Sequence, residues 1–169
     1  ARCSLFRFET SNERLYAKLH CGERFAERLS YLEEMNKIGY VLATGGLVGL
    51  PGQSAEDLAQ DIMLAKSLKA EMFSFGPFLP HPESALGNEK APDVDDVLKV
   101  LAVARLASPE AKILVTTALE TLDKSGRKKG LLAGANSVMI NVTPMKYRKQ
   151  YEIYPKRAGS EKESKKQID

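Results

Sequence analysis

Apolar and polar positions along this chain follow two periods in turn. "CSLFRFET" (3–10) alternates, with Leu5, Arg7 and Glu9 on one side and Phe6 and Phe8 on the other, which predicts a strand. In "RFAERLSYLEEMNKIGY", Phe25, Leu29, Leu32, Met35 and Ile38 recur at helical spacing, and Gly39 fits a C-terminal cap. Residues 40–50 read as a strand ending in a glycine-rich turn. Ser54 and Asp57 form a capping box ahead of a helix whose buried stripe is Leu58, Ile62, Ala65 and Leu68. "EMFSFGPF" is the next strand, followed by a long loop, "LPHPESALGNEKAP", punctuated by Pro80, Pro82 and Pro92. Asp93 is expected to cap a helix with Val94, Val97, Leu98, Leu101 and Ala104 inside. "KILVTTA" reads as a strand, "GRKKGLLAGA" as a short helix, "SVMINVTP" as a last strand, and "PMKYRKQYEIY" as a final helical turn.

Strands alternating with connections of helical length imply parallel pairing with right-handed crossovers. Five such strands suit an open doubly wound sheet or most of the second half of an eight-stranded barrel. A complete barrel takes ~250 residues, and this chain has 169. Both architectures put the working face where strands end and helices begin. The sequence places there Glu9 and Thr10, Gly49 to Gln53, Gly76 to His81, Thr116 and Thr117, and Asn141 to Pro144.

Composition narrows the function classes. With 43% apolar and 28% charged residues, the chain has the make-up of an ordinary globular domain. No apolar run approaches the ~18 residues of a membrane span, and no charged-then-apolar leader is present, so neither a membrane segment nor a signal peptide is expected. The net charge of +3 comes mostly from "PKRAGSEKESKKQID". That stretch reads as a solvated tail over 156–169 rather than a nucleic-acid site, leaving 1–155 as the folded part. Cys3 and Cys21, eighteen positions apart with no second pair, build neither a zinc ribbon nor an iron–sulfur loop. They read as reduced thiols of a cytoplasmic protein.

Arg7 and Glu9 share a strand face, and burial of both charges requires pairing with each other or with a ligand; the alternative is an edge strand with that face in water. Arg28 could hold a carboxylate in two parallel hydrogen bonds or lie solvated on its helix. Gly45 and Gly46 thin a strand, which suits close passage of another body. Gly49 through Gly52 are expected to leave amides pointing outward near a helix N-terminus, suiting a planar or anionic ligand, or to serve turn geometry alone. No Gly-Lys-Ser/Thr follows, so this is not a P-loop. His20 and His81 lack metal-ligand spacing and read as structural. Of Thr116 and Thr117, alternation sends one to the lumen and the other to the helix layer.

"RFETSN", "FAERL", "GLVGLPGQ", "GPFLPHPES", "TTALETL" and "GANSVMINVTPMKYRKQY", in this order and spacing, resemble the later strands of radical S-adenosylmethionine enzymes. Within that superfamily they are most similar to the biotin-synthase-like branch and its FeFe-hydrogenase E-type maturases, over roughly residues 5–155. The resemblance implies an α/β fold that is part of a TIM-type barrel, with about five parallel strands. It implies S-adenosylmethionine as cofactor, with Glu9 on its ribose or amino-acid part and Arg28 on its carboxylate. Gly46, Val48, Gly49, Leu50 and Pro51 would flank the adenine. Arg7, Thr116 and Thr117, with Asn141, would line the lumen near a small-molecule substrate. Cys3 stands where arginine is common in the family. The family's 4Fe-4S cluster is held by C-x3-C-x2-C, which this sequence lacks. An intact relative cleaves S-adenosylmethionine reductively at that cluster, and the resulting radical attacks the substrate. The expectation here is a C-terminal part that contributes contacts but is inactive alone; the alternative is a non-catalytic α/β module for a nucleotide-like ligand or a half-barrel interaction protein. Its open strand edges would meet a missing N-terminal half or a second copy.

Overall fold

The computed structural model describes residues 2–148 together with Gln150, Tyr154, Arg157 and Ala158. Apart from Arg157 and Ala158, the expected tail over 156–169 lies outside the described residues. Five strands, β1 (Cys3–Leu5), β2 (Val41–Thr44), β4 (Met72–Phe73), β6 (Lys112–Val115) and β7 (Ser137–Val138), form one sheet in the order β1-β2-β4-β6-β7. Every neighbouring pair is parallel, for example Cys3 opposite Val41 and Leu114 opposite Ser137. The alternating strands and helices of a partial barrel are therefore present.

Two expected strands are each broken in two. β2 stops at Thr44, and after two intervening residues a short β3 (Leu47–Val48) follows; β4 likewise gives way to β5 (Gly76–Pro77). β3 and β5 pair with each other, Leu47 opposite Gly76, as a separate two-stranded ribbon. Glycine makes the break possible: a Cβ at Gly45 would lie 2.2 Å from the Ser74 carbonyl oxygen, and one at Gly46 2.7 Å from that of Glu9. "KILVTTA" also ends early, at Val115, because Thr116 leaves the sheet to cap α5 (Thr117–Leu122). β7 reaches only Val138, a short edge strand with β6 as its one neighbour in the sheet.

The helices are α1 (Glu13–Leu19), α2 (Phe25–Lys37), α3 (Ala55–Ser67), α4 (Val94–Ala107), α5, α6 (Gly126–Leu132) and α7 (Met145–Arg148). α2 ends as expected, with Gly39 left-handed at φ 85°. The Ser54–Asp57 capping box of α3 is complete. Asp93 occupies the N-cap of α4, but its side chain makes no capping hydrogen bond. α1 and α5 are absent from the sequence reading; each is under eight residues, started by Asn12 and Thr116. Phe8, Leu32, Leu42, Ile62, Phe73, Leu101 and Ile113 anchor the main core between sheet and helices. A second, smaller cluster of Leu15, Leu50 and Phe78 is joined by Leu19, Leu47 and Leu86. Among the described residues, no helix is long and apolar enough to cross a membrane.

Candidate functional site

β1 continues beyond its regular pairing as an extended ribbon, with Phe6 N–H donating to Ala43 and Phe8 N–H to Gly45. Phe8 is fully buried in the main core, so Arg7 and Glu9 face the other way. They form an ion pair at 3.5 Å with side chains about one-fifth exposed. Arg7 Nη2 donates to the Gly46 carbonyl. Among the described residues, neither Glu9 Oε2 nor Arg7 Nε has a hydrogen-bond partner, and both atoms are buried. Glu9 is also left-handed, at φ 68°, a conformation that disfavours any side chain. A strained backbone and a carboxylate oxygen that is ion-paired but not hydrogen-bonded thus coincide at one residue of the strand end.

This pair opens onto a hollow of about 320 Å³. Leu19, Leu47, Leu50, Phe78 and Leu86 give it an apolar wall, and His20 supplies a further polar edge. Such a mixture suits a small molecule with an apolar body and one charged group. His20 stacks on Tyr16 at 4.4 Å between ring centres, and its Nδ1 lies 3.6 Å from Glu23. The Tyr16 hydroxyl donates to Glu23 at 2.9 Å. Burial, then this bond, raises the Tyr16 phenol above its ordinary pKa.

Arg28 does not line that hollow. Its guanidinium lies 4.0 Å over the Phe6 ring, and its Nε donates to the Arg7 carbonyl at 2.9 Å. It borders a neighbouring hollow with Phe6, Tyr16, Glu23 and Tyr31. The Tyr16–His20 stack stands between the two. Glu9 and Leu50 therefore share one hollow, and Arg28 is held in the next.

The glycine turn also departs from expectation. The Gly49 and Leu50 amides do not point outward for a ligand; both donate to Gln53 Oε1, at 2.8 and 3.2 Å. What passes close to these glycines is the chain itself: a Cβ at Gly49 would lie 2.4 Å from Pro92, just as Ser74 crowds Gly45 and Glu9 crowds Gly46. Val48 is 1% exposed and, with Gly49, borders a groove between α3 and α4. Pro51 is half-buried in the turn. Thr116 caps α5 and fills the space beside Gly76, where a Cβ would lie 2.7 Å from its hydroxyl. Thr117 hydrogen-bonds the Tyr154 hydroxyl at 2.9 Å. As Thr117 is already helical, strand alternation does not place it. Asn141 Oδ1 accepts from Thr143 N–H at 3.0 Å, and its carbonyl accepts from Arg148 at 2.9 Å.

A family model for the Biotin and Thiamin Synthesis associated domain matches residues 74–165. The chain belongs to this family. The FeFe-hydrogenase maturase subunit HydE of Thermotoga maritima is 41% identical over 151 residues, 89% of this chain and 43% of that protein. Biotin synthase of Neorickettsia sennetsu is 28% identical over 132 residues, 77% of this chain and 40% of the enzyme. Methylornithine synthase superposes with a TM-score of 0.73 at 27% identity, covering 82% of this chain and 40% of that structure. The hydrogenase maturase HydG, at TM-score 0.66 and 18% identity, shares the fold. The chain spans about two-fifths of the length of the curated relatives it matches. The resemblance to biotin-synthase-like radical S-adenosylmethionine enzymes of the HydE type, and the partial barrel it implies, are borne out.

Proposed function

We propose that this chain furnishes the later strands of a radical S-adenosylmethionine barrel of hydrogenase-maturase type, with Glu9 as its principal cofactor contact. The observation that carries this is Glu9: its backbone is left-handed, its buried Oε2 is ion-paired with Arg7 at 3.5 Å but hydrogen-bonded to nothing among the described residues, and it lines a hollow at the strand end. An acceptor held this way is ready for a hydroxyl or ammonium donor of a ligand. The apolar wall that includes Leu50 offers a surface for a nucleoside. Arg28 joins the same ligand only by leaving Phe6 and swinging past the Tyr16–His20 stack, which makes it the contact that forms on binding. Arg7 pairs with Glu9 at 3.5 Å and borders the substrate side.

Bound S-adenosylmethionine supplies radical chemistry in such enzymes; the residues here bind and orient it. The iron–sulfur cluster is a different matter. Among the described residues, no group of three His, Cys, Asp or Glu side chains could hold a metal ion, and both cysteines are exposed. No electron-transfer step is therefore assigned to this chain.

Equilibrium dialysis with S-adenosylmethionine tests the reading. The chain is expected to bind it without cleaving it. Glu9→Gln should weaken binding about tenfold, the scale of one charge-assisted hydrogen bond. Binding unchanged in that variant would sink the assignment.

A further inference from the structure

A buried carboxylate behind the site has no part in the reading above. Asp61, on α3, has no exposed surface. Its Oδ1 accepts from Ser11 N–H at 2.5 Å and from the Ser11 hydroxyl at 2.6 Å. Its Oδ2 accepts from Gln53 Nε2 at 3.3 Å. Ser11 stands two residues after Glu9. Gln53 holds the Gly49 and Leu50 amides on its Oε1, and its Nε2 also donates to the Leu47 carbonyl at 2.9 Å. One carboxylate thus grips both chain segments that wall the hollow, the end of β1 and the glycine turn. Gly46 lies close beside the grip, since a Cβ there would lie 3.3 Å from Asp61 Oδ2.

We propose that Asp61 is a positioning residue of this site, fixing from behind the spacing between the wall that carries Glu9 and the wall that carries Leu50. An acid that only filled space would be replaced without loss by an apolar side chain. Here each oxygen serves a different segment, and the charge is matched by donors rather than by a cation. The ionisable group that acts on it is Asp57, one turn earlier on α3; Arg7 reaches the Gly46 carbonyl, and Asp61 Oδ2 faces the Gly46 Cα. Burial first, and Asp57 in addition, push the Asp61 carboxyl up to about 6, while the Ser11 and Gln53 donors pull it down. Protonation at mildly acidic pH would weaken its hold on both segments together.

The ligand arm of this proposal rests on the reading of Glu9 above; the coupling of the two walls does not. The test follows the amides of Ser11, Gly49 and Leu50 by NMR from neutral to about pH 5 in the isotope-labelled full chain. Alongside it, S-adenosylmethionine binding is measured at neutral pH. In the wild type the three amides should titrate with one shared midpoint near 6. Asp61→Asn should remove that shared step and weaken S-adenosylmethionine about tenfold. Ser11→Ala, which takes one donor from the carboxylate, should move the midpoint upward. Separate midpoints for Ser11 and the glycine turn, or a shared step that survives in Asp61→Asn, would overturn the proposal. So would normal ligand affinity in Asp61→Asn once the step is gone. If Asp61→Asn does not fold, an unmoved midpoint in Ser11→Ala is the overturning result. A wild type that shows the shared step but binds no S-adenosylmethionine would remove the ligand reading and leave the coupling standing.

Discussion

At the residue scale, two positions set the energetics around the site. Asp61 has its carboxyl pushed up to about 6 from an ordinary 3.8. A folded-state value above the unfolded one means that the native protein holds this proton more tightly. Its contribution to stability is then complete below about pH 4 and is lost as pH rises through about 6. The shift corresponds to about 3 kcal/mol. Asp61→Asn should therefore flatten the pH dependence of stability between those limits, measured by urea denaturation of both proteins at a series of pH values. A parallel pair of curves would contradict the assignment. Gly45 acts through what it lacks. A methyl group 2.2 Å from the Ser74 carbonyl would force the two strands apart. Gly45→Ala is expected to destabilise the fold by about 3 kcal/mol, the upper range for overpacking, with a matching fall in the denaturation midpoint.

At the scale of elements, α1 is the piece that holds the site from above. Its N-cap, Asn12, accepts from Arg14 and Leu15 N–H, each at 3.1 Å, and donates to Asp57 Oδ1 at 2.8 Å. Asn12→Ala should cost about 1 kcal/mol and raise hydrogen exchange at Arg14 and Leu15 before the rest of the chain. The order of long helices and sheet strands was legible because Leu58, Ile62 and Ala65, or Val97, Leu101 and Ala104, repeat at helical spacing over many residues. α1 and α5 escaped because seven and six residues carry too few repeats, and the caps at Asn12 and Thr116 are known only from the structure. The strand breaks after Thr44 and Phe73 were hidden because contact with a distant segment causes them. The face bearing Arg7 and Glu9 was readable from alternation. Arg28 was not, because its attachment to Phe6 and the Arg7 carbonyl is tertiary. Asp61 had a signal that went unused: it lies three residues after Leu58 and four before Ala65, on the stripe that faces inward.

At the scale of the molecule, β1 and β7 each have one neighbour in the sheet, and apolar side chains stand in water near both edges. Leu5 on β1 is 50% exposed, and Val138 and Val142 are exposed at the other end. Unpaired strand edges beside apolar surface favour pairing with another chain. We propose that a second copy of this chain covers them. For the isolated chain, light scattering should report a mass that grows with concentration. A Leu5→Lys variant should reduce this growth, and a strictly monomeric wild type would count against the idea. The close backbone crossings at Gly45 and Gly46 carry a consequence for anyone scanning this protein by random mutagenesis. Positions with no side chain at all would score as intolerant as a reactive one, so a map of lost activity would trace the places where the main chain touches itself and should not be mistaken for a map of chemistry.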